Sequence, residues 1–276
     1  MMKTAIVTGA GSGIGYYTAK ELYENGYRVY DFSRTDRCFE GVVHIACDVS
    51  KEEEVKRAVG CVIEREGRID LLINNAGFGI SGAVEFTDPE DIQAILNVNL
   101  LGGDNLVRAC LPHMRRTGAG RVVFVSSAAA IFPIPFQAWY SVSKAAVNAY
   151  ALSLRNEVRA FGISVCAVLP GDIKTGFTDA RKKAHIGDDI YKGRISRAVS
   201  CMEKDERGGM DASYAGAYLR KIAERKRVKP LYVIGVQYRL YAFLNRFLPS
   251  SVMNFIVGMM YGGREKKNRQ SNQKDD

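Results

Sequence analysis

The chain has 276 residues, 47% of them apolar, and a formal net charge of +9. It is long enough and apolar enough to bury a large core as one α/β domain, which excludes a small disulfide-stabilised scaffold. The six cysteines form no CxxC pair and do not cluster with the three histidines, so we expect no disulfide framework, no metal site and a reducing, cytoplasmic compartment.

The first strand pattern begins almost at the N-terminus, so we expect neither a cleaved signal nor an N-terminal anchor. Seven short apolar runs follow in chain order: KTAIVTG, YRVYDFS, VVHIACD, IDLLINNAG, GRVVFVSS, GISVCAVLPG and PLYVIG. Longer helical patterns lie between the first six, near residues 14–25, 51–66, 88–117 and 138–161. Continuously apolar strands are typical of buried parallel sheets, so we predict a single-domain α/β fold, a doubly wound, Rossmann-like sheet of seven parallel strands with helices on both faces.

We divide the chain into three parts. Residues 1–236 are predicted to form the dinucleotide-binding and catalytic domain. Within them, residues 172–212 interrupt the alternation after the sixth strand, where ligands of such sheets bind, and are interpreted as a substrate lid. Residues 237–263 are predicted to be a C-terminal amphipathic extension, and residues 264–276 a disordered polar tail.

A glycine-rich turn, VTGAGSGIG, joins the first strand to the first helical pattern. Gly9, Gly11, Gly13 and Gly15 allow a tight turn and let backbone N–H groups approach a diphosphate at the start of a helix. Glycine richness alone also suits an ordinary strand-to-helix turn. Its place after the first strand of an α/β chain favours nucleotide binding.

The stretch AWYSVSKAAV places Tyr140 and Lys144 one helical turn apart, so both side chains project from the same face of a helix. This pair could carry out proton transfer, or it could be a hydrogen bond on an amphipathic helix. The spacing by itself leaves both interpretations open.

Further motifs resolve that choice. The glycine turn has the spacing TGxxxGIG, and NNAG, NVN, SS, YSVSK and PG follow it in order after successive strands. In this order the sequence resembles the short-chain dehydrogenases/reductases over nearly the whole body of the chain. The resemblance implies an NAD(P)(H)-dependent oxidoreductase that interconverts a secondary alcohol and a ketone.

The resemblance also implies a catalytic tetrad of Asn99, Ser127, Tyr140 and Lys144. Tyr140 exchanges a proton with the substrate oxygen, and Ser127 hydrogen-bonds that oxygen. A free phenol is a poor base at neutral pH, so the Lys144 ammonium and a cationic nicotinamide are expected to lower the pKa of Tyr140. Lys144 also binds the nicotinamide ribose, and Asn99 holds a water that links Lys144 to solvent.

The cofactor contacts implied by the resemblance follow the carboxyl ends of the strands. Asp48 corresponds to the contact with the adenine amine, and Ile173 and Thr175 to contacts with the nicotinamide carboxamide. The full set is Thr8, Gly9, Gly11, Ser12, Gly13, Ile14, Gly15, Ser33, Arg34, Asp48, Val49, Asn75, Ala76, Gly77, Tyr140, Lys144, Pro170, Gly171, Ile173 and Thr175.

The end of the second strand indicates which nicotinamide cofactor binds. Ser33 occupies the position where a carboxylate would accept hydrogen bonds from the ribose hydroxyls, and Arg34 follows it. A hydroxyl and a guanidinium suit a 2′-phosphate, which favours NADP(H). Two alternatives keep NAD(H) open: Asp31 supplies the acid after a two-residue shift in register, or Arg34 is an ordinary surface charge.

The side chains expected near the substrate are bulky and apolar: Phe78, Ile80, Ile131, Phe132, Ile134, Phe136, Trp139 and Phe177. They favour a hydrophobic alcohol or ketone, such as a steroid, a retinoid or a long-chain keto-lipid. A non-catalytic protein that senses NADP(H) or a lipid on the same fold is the alternative function, although an intact tetrad argues against it. The resemblance also implies a homodimer or homotetramer.

The positive charge is concentrated at the C-terminal end. Residues 1–211 contain 26 basic and 26 acidic residues, whereas residues 212–276 contain 13 and 4. Residues 237–263 could lie on an anionic membrane surface as a basic amphipathic helix, but we favour a cover over the substrate pocket or a subunit contact. No nucleic-acid recognition motif accompanies the charge, so no nucleic-acid partner is expected.

Overall fold

The structure is a computed structural model that describes residues 2–37 and 39–261. Seven parallel strands form the central sheet: β1 (Lys3–Thr8), β2 (Tyr27–Ser33), β3 (Val43–Ala46), β4 (Leu71–Asn74), β5 (Gly120–Val125), β6 (Ile163–Pro170) and β7 (Leu231–Ile234). They are the seven strands predicted from the sequence. Their order in the sheet is β7–β6–β5–β4–β1–β2–β3, so the predicted doubly wound fold class is confirmed.

The helices occupy both faces of this sheet. In chain order they are α1 (Gly13–Glu24), α2 (Glu52–Glu66), α3 (Pro89–Leu96), α4 (Gly102–Thr117), α5 (Ala138–Val158), α6 (Phe177–Ala180), α7 (Arg194–Arg207), α8 (Ala212–Ala223), α9 (Val236–Leu244) and α10 (Ser250–Tyr261). A π-helical segment, Asn97–Leu101, joins α3 to α4. The first five correspond to the four predicted helical patterns.

Side chains of alternating strand residues enter two cores, as the pleat of a β-strand requires. Ile6 of β1 packs with α2, α4 and α5 on one face, whereas Ala5 and Val7 pack with α1 and α8 on the other. Helices α1 and α8 approach closely because residue 216 is glycine. A Cβ there would lie 2.6 Å from the backbone carbon of Tyr17.

The order of the strands determines where a ligand-binding crevice opens. The chain runs outwards from β1 to β3 and then returns to β4 on the other side of β1. Loops leaving β1 and β4 therefore diverge, and a crevice opens between their carboxyl ends, where ligands of such sheets bind.

The segment after β6 contains short elements that the sequence analysis did not predict. Its strand Ile173–Lys174 pairs with Met210–Asp211, and its strand Lys182–Lys183 pairs with Ile80–Ser81 from the loop after β4. The proposed lid, residues 172–212, is thereby attached to the loop that follows β4. Its role as a lid and the domain bounds stay predictions, and the predicted tail, residues 264–276, lies outside the described residues.

In the part of the chain that the structure describes, no helix is both long and apolar enough to cross a bilayer.

Candidate active site

The turn between β1 and α1 presents backbone N–H groups at the carboxyl edge of the sheet. Gly9 and Gly13 have φ angles of +67° and +55°, in the left-handed region that favours glycine. A Cβ on Gly15 would lie 2.3 Å from the carbonyl oxygen of Gly9. The first hydrogen bond of α1 runs from Tyr16 N–H to Ser12 C=O at 3.1 Å, which leaves the preceding N–H groups available to a diphosphate. The turn therefore fits a dinucleotide.

Polar side chains hold this turn in place. The Thr8 hydroxyl accepts the N–H groups of Asn75 and Ala76 at 2.9 and 2.8 Å, and the Asn75 amide donates to the Thr8 carbonyl at 2.9 Å. Asp31 accepts the N–H of Ala10 at 2.8 Å. Thr8 and Asn75, both predicted cofactor contacts, thus brace the ends of β1 and β4 against each other.

The end of β2 presents Ser33 and an exposed Arg34. The carboxylate of Asp31 has 0% exposure, and its second oxygen accepts the Ser33 hydroxyl and lies 2.8 Å from Nδ1 of His44. Because both Asp31 oxygens are engaged inside the fold, this carboxylate is not placed to receive ribose hydroxyls. The placement speaks against the register shift considered from the sequence.

Asp48 and Arg34 lie at the same end of the crevice. The Asp48 carboxylate accepts the N–H and the hydroxyl of Ser50 at 3.0 and 2.7 Å. Burial raises its pKa, but these hydrogen bonds and the positive charge of Arg34 outweigh burial, so the pKa of Asp48 lies below its ordinary value. Val49 is buried beside Gly102. Asp48 is therefore held as a carboxylate with a basic side chain nearby.

Tyr140 and Lys144 are buried one turn apart on α5. The Lys144 Nζ lies 5.8 Å from the centroid of the Tyr140 ring and donates to the Val125 carbonyl, at the end of β5, at 2.9 Å. The side chain of Ser127 hydrogen-bonds the Tyr140 phenol, and its hydroxyl accepts the Ala129 N–H at 3.1 Å. The structure thus brings the phenol, the ammonium and the hydroxyl together.

The π-helical segment positions Asn99 next to this group. Its Nδ2 donates to the Phe78 carbonyl and the Ser143 hydroxyl, both at 3.0 Å, while its Oδ1 accepts the Phe78 N–H at 3.0 Å. A Cβ on Gly77 would lie 2.9 Å from Asn99 Oδ1 and 3.4 Å from Lys144 Nζ. Gly77 therefore lets the loop backbone pass between the amide and the ammonium. Such π-bulges occur frequently at functional sites.

Burial determines the protonation of the pair. Desolvation raises the pKa of Tyr140 to about 12, although the Ser127 hydrogen bond opposes that rise. Desolvation also lowers the pKa of Lys144 to about 8. These directions describe the protein groups alone. The lowering of the Tyr140 pKa that is expected from Lys144 together with a cationic nicotinamide stays a prediction for the cofactor complex. A loss of hydration free energy of this kind depends on tertiary packing, which residue spacing does not report.

The segment after β6 connects the glycine turn to α9. Thr175 lies against the turn, because a Cβ on Gly13 would be 3.3 Å from the Thr175 side chain. Ile173 is buried. Gly171 lies directly under the ring of Tyr238 in α9, where a Cβ would overlap the ring at 1.9 Å. The predicted nicotinamide end of the groove is therefore bordered by the C-terminal helices.

An apolar cluster surrounds Tyr140 on the substrate side. Its partners are Phe78, Ile80, Ile134, Trp139 and Phe177. The ring centroids of Phe177 and Tyr140 are 5.6 Å apart. Three other predicted pocket residues lie elsewhere: Phe132 contacts Tyr241 of α9, Phe136 contacts Tyr191, and Ile131 packs against the main core.

Buried charges that the sequence analysis missed lie behind this cluster. The Arg181 guanidinium is ion-paired with Glu206, which also accepts the Thr178 hydroxyl at 2.7 Å. Burial raises the pKa of Asp172 to about 6, while its hydrogen bond from Tyr238 acts against that rise. A single charged residue within a polar lid carries no sequence signal, whereas Asp31 was considered from the sequence as a possible ribose contact and instead holds the glycine turn.

Comparisons with known proteins agree with this geometry. The family model described as short chain dehydrogenase matches residues 3–185. The 3-ketodihydrosphingosine reductase of Bacteroides thetaiotaomicron is 37% identical over 268 residues, which are 94% of this chain and 98% of that protein. The 11-beta-hydroxysteroid dehydrogenase-like 2 of Arabidopsis thaliana is 32% identical over 214 residues, 72% of this chain and 69% of that protein.

Among solved structures, a short-chain dehydrogenase from Streptomyces avermitilis has a TM-score of 0.79 and 27% identity, with 89% of this chain and 93% of that chain covered. The family resemblance seen in the motifs is thus confirmed by a match over more than half of the chain. The chain belongs to the short-chain dehydrogenase/reductase family.

Proposed function

We propose that this oxidoreductase uses NADPH to reduce the ketone of a long-chain lipid to a secondary alcohol. The observation that carries the proposal is the convergence of Ser127, Tyr140 and Lys144 beside an apolar cluster at the carboxyl edge of the sheet. Family membership supports the reaction class, and the apolar surroundings support a lipophilic substrate.

In the proposed reaction, the glycine turn would hold NADPH, which when bound would supply the hydride for the carbonyl carbon. The Ser127 hydroxyl donates a hydrogen bond to the carbonyl oxygen and holds it near the phenol. Tyr140 then gives its proton to that oxygen, and the Lys144 ammonium stabilises the resulting phenolate. Asn99 positions the water through which Lys144 exchanges protons with solvent. Each turnover consumes one hydride and one proton.

The preference for NADPH rests on the end of β2. Ser33 places no carboxylate at the ribose position, and the exposed Arg34 can pair with a 2′-phosphate. The burial of Asp31 supports the same preference, because that acid is engaged by Ala10, Ser33 and His44.

We propose long-chain keto-lipids as the substrates in preference to steroids. The relative named for reduction of 3-ketodihydrosphingosine matches nearly the whole chain, whereas the relative named for hydroxysteroids matches about three quarters of it at lower identity. Helix α9 borders the site through Tyr238, which lies against Gly171.

The test is consumption of NADPH, and separately of NADH, with 3-ketodihydrosphingosine, simple long-chain ketones and ketosteroids. We expect turnover with the long-chain ketones and a preference for NADPH. Tight binding of NADPH without turnover on the whole panel would instead support a cofactor or lipid sensor. Faster turnover of ketosteroids than of long-chain ketones would show that steroids are the preferred substrates.

We also propose self-association, as a homodimer or homotetramer, through the outer faces of α4 and α5. Leu101, beside α4, and Val142 and Leu152 on α5 are exposed apolar residues there. Sedimentation of wild type and of Leu152→Lys tests the interface, since the lysine should shift the mass towards the monomer.

The scattered cysteines support the predicted cytoplasmic location.

A further inference from the structure

The C-terminal helices expose large apolar side chains at helical spacing. Val236, Leu240, Phe243 and Phe247 recur every three or four residues, and α10 exposes Val252, Phe255 and Met259 in the same rhythm. Phe247 is 71% exposed and Phe255 is 65% exposed. We call these seven residues the C-terminal face. Such a concentration of exposed aromatic and aliphatic side chains marks an interaction surface.

The opposite sides of both helices are packed onto the protein. Tyr238 hydrogen-bonds Asp172, and Tyr241 contacts Phe132 with ring centroids 6.3 Å apart. On α10, Met253 and Val257 are buried. The helices are therefore held by their inner sides, and the C-terminal face is the side left for a partner.

The two C-terminal helices carry charge of one sign. Residues 236–261 contain two basic residues, Arg239 and Arg246, and no Asp or Glu. Both are exposed, whereas the basic stretch 225–229 lies before β7, at the amino edge of the sheet. Apolar side chains flanked by arginine suit a surface of acidic headgroups over hydrocarbon.

We propose that the C-terminal face binds peripherally to an anionic lipid bilayer. A second copy of the chain fits less well, because a two-fold interface places the same patch against itself, and the two helices that form the patch supply basic residues but no acid of their own. This inference deepens the proposed function, since a bilayer is where a long-chain ketone is stored. Membrane binding is measured without turnover, so its failure is distinguishable from a failure of the proposed reaction.

The position of α9 gives the contact a consequence for catalysis. Its two tyrosines, Tyr238 and Tyr241, lie against Gly171, Asp172 and Phe132 at the border of the site. The residues of the C-terminal face on α9 are on the other side of the helix, where the proposed membrane contact lies. A lipid that leaves the bilayer at this point has a short path to Tyr140. Reduction of membrane-held substrate is therefore expected to depend on the face, whereas reduction of a short-chain ketone is not.

The test is flotation of the full chain with vesicles of phosphatidylcholine alone and of phosphatidylcholine mixed with phosphatidylglycerol. We expect binding to the mixed vesicles. The double variant Phe243→Ser/Phe247→Ser should weaken it at least about tenfold. The matched control is Phe161→Ser, an exposed aromatic residue outside these helices, which should float like wild type.

Two further double variants test the contribution of positive charge to vesicle binding. Arg239→Gln/Arg246→Gln should lose about tenfold in binding to anionic vesicles, while Lys20→Gln/Lys56→Gln should not change it. Absence of wild-type flotation on the mixed vesicles would overturn the proposal, as would unchanged flotation of the double phenylalanine variant. A wild-type oligomer that these phenylalanine substitutions dissociate would assign the face to a second copy and would also overturn it.

Discussion

The glycine turn and the C-terminal layer (residues 172–261) border the same crevice but are stabilised differently. At the glycine turn, Thr8 and Asp31 accept hydrogen bonds from neighbouring backbone N–H groups and so fix the geometry. In the C-terminal layer, charged side chains from separate segments form ion pairs that are largely shielded from water, as in Arg181, which follows α6, and Glu206 of α7, and apolar side chains remain exposed.

The glycine turn is expected to bind the cofactor, which is the same for every substrate, whereas the C-terminal layer is expected to bind one particular substrate. A dinucleotide has the same diphosphate and ribose in all such enzymes, so its turn depends on backbone shape and recurs as a motif. The C-terminal layer borders the substrate, and its side chains have no fixed spacing in the sequence.

Loss of the buried charge pair should destabilise the C-terminal layer. Arg181→Met removes the ion-pair partner of the partly buried Glu206, which keeps the hydrogen bond from the Thr178 hydroxyl, and we expect the free energy of unfolding to fall by about 3 kcal/mol. Arg181→Met/Glu206→Met should recover most of that loss in a denaturant titration. The control is Arg207→Met, because Arg207 makes exposed ion pairs and should cost about 1 kcal/mol or less. Equal losses for both arginines would remove the distinction between buried and surface pairs.

The glycine turn should fail by steric overlap. In Gly15→Ala the new Cβ meets the Gly9 carbonyl oxygen at 2.3 Å, so we expect NADPH binding to weaken on the order of a hundredfold. Gly60→Ala in α2 is the control, since no atom lies within 4 Å of its Cβ position; it should gain about 0.5–1 kcal/mol in stability. Normal cofactor binding by Gly15→Ala, measured by fluorescence titration, would refute the account of the turn.

The end of β2 should set the cofactor preference. Arg34→Gln removes the charge expected beside a 2′-phosphate, so KM for NADPH should rise about tenfold. The KM for NADH serves as the internal control and should stay constant. Ser33→Asp should shift the preference further towards NADH by repelling the phosphate. A parallel change in both KM values would place Arg34 elsewhere than at the ribose.

The pH dependence of reduction should report Lys144. Its pKa of about 8 means that the ammonium is lost above that pH, so kcat/KM for ketone reduction should fall about threefold between pH 7.5 and 8.5. Alcohol oxidation should instead rise with pH, because Tyr140 must first release its proton. A flat profile for reduction over this range would show that the Lys144 charge is not required.

The same shift has a consequence for stability. Because burial puts the folded-state pKa of Lys144 below its ordinary value of 10.5, the unfolded chain binds more protons between about pH 8 and 10.5. Stability attributable to Lys144 should therefore increase as pH rises through that window. Lys144→Met should remove this increase, as measured by the denaturation midpoint at pH 8 and pH 10.

Sequence reasoning predicted the sheet and the residues that meet at its edge because both depend on local patterns. Continuous apolar runs identify buried strands, and a parallel sheet brings their carboxyl ends together. Tyr140 and Lys144 could be paired in advance because helix geometry sets their relation. The roles of the tetrad stay predictions until activity is measured.

The features of the fold and of the site that were not predicted from the sequence depend on contacts between residues that are distant along the chain. The strand Lys182–Lys183 pairs with Ile80–Ser81 a hundred residues away, a relation that periodicity does not encode. Whether Asp31 faces a ribose or the Ala10 N–H depends on how β2 packs beside the glycine turn. The burial that raises the pKa of Tyr140 depends on Phe177 and its neighbours, a contact that motif spacing does not report.

The central claim is that the phenol of Tyr140 transfers the proton that accompanies hydride transfer. The direct measurement is single-turnover oxidation of bound NADPH by 3-ketodihydrosphingosine in wild type and Tyr140→Phe, with NADPH affinity measured in the same samples. The account predicts a rate at least about a thousandfold lower in the variant with NADPH binding retained. A variant that oxidises NADPH at the wild-type rate would contradict it.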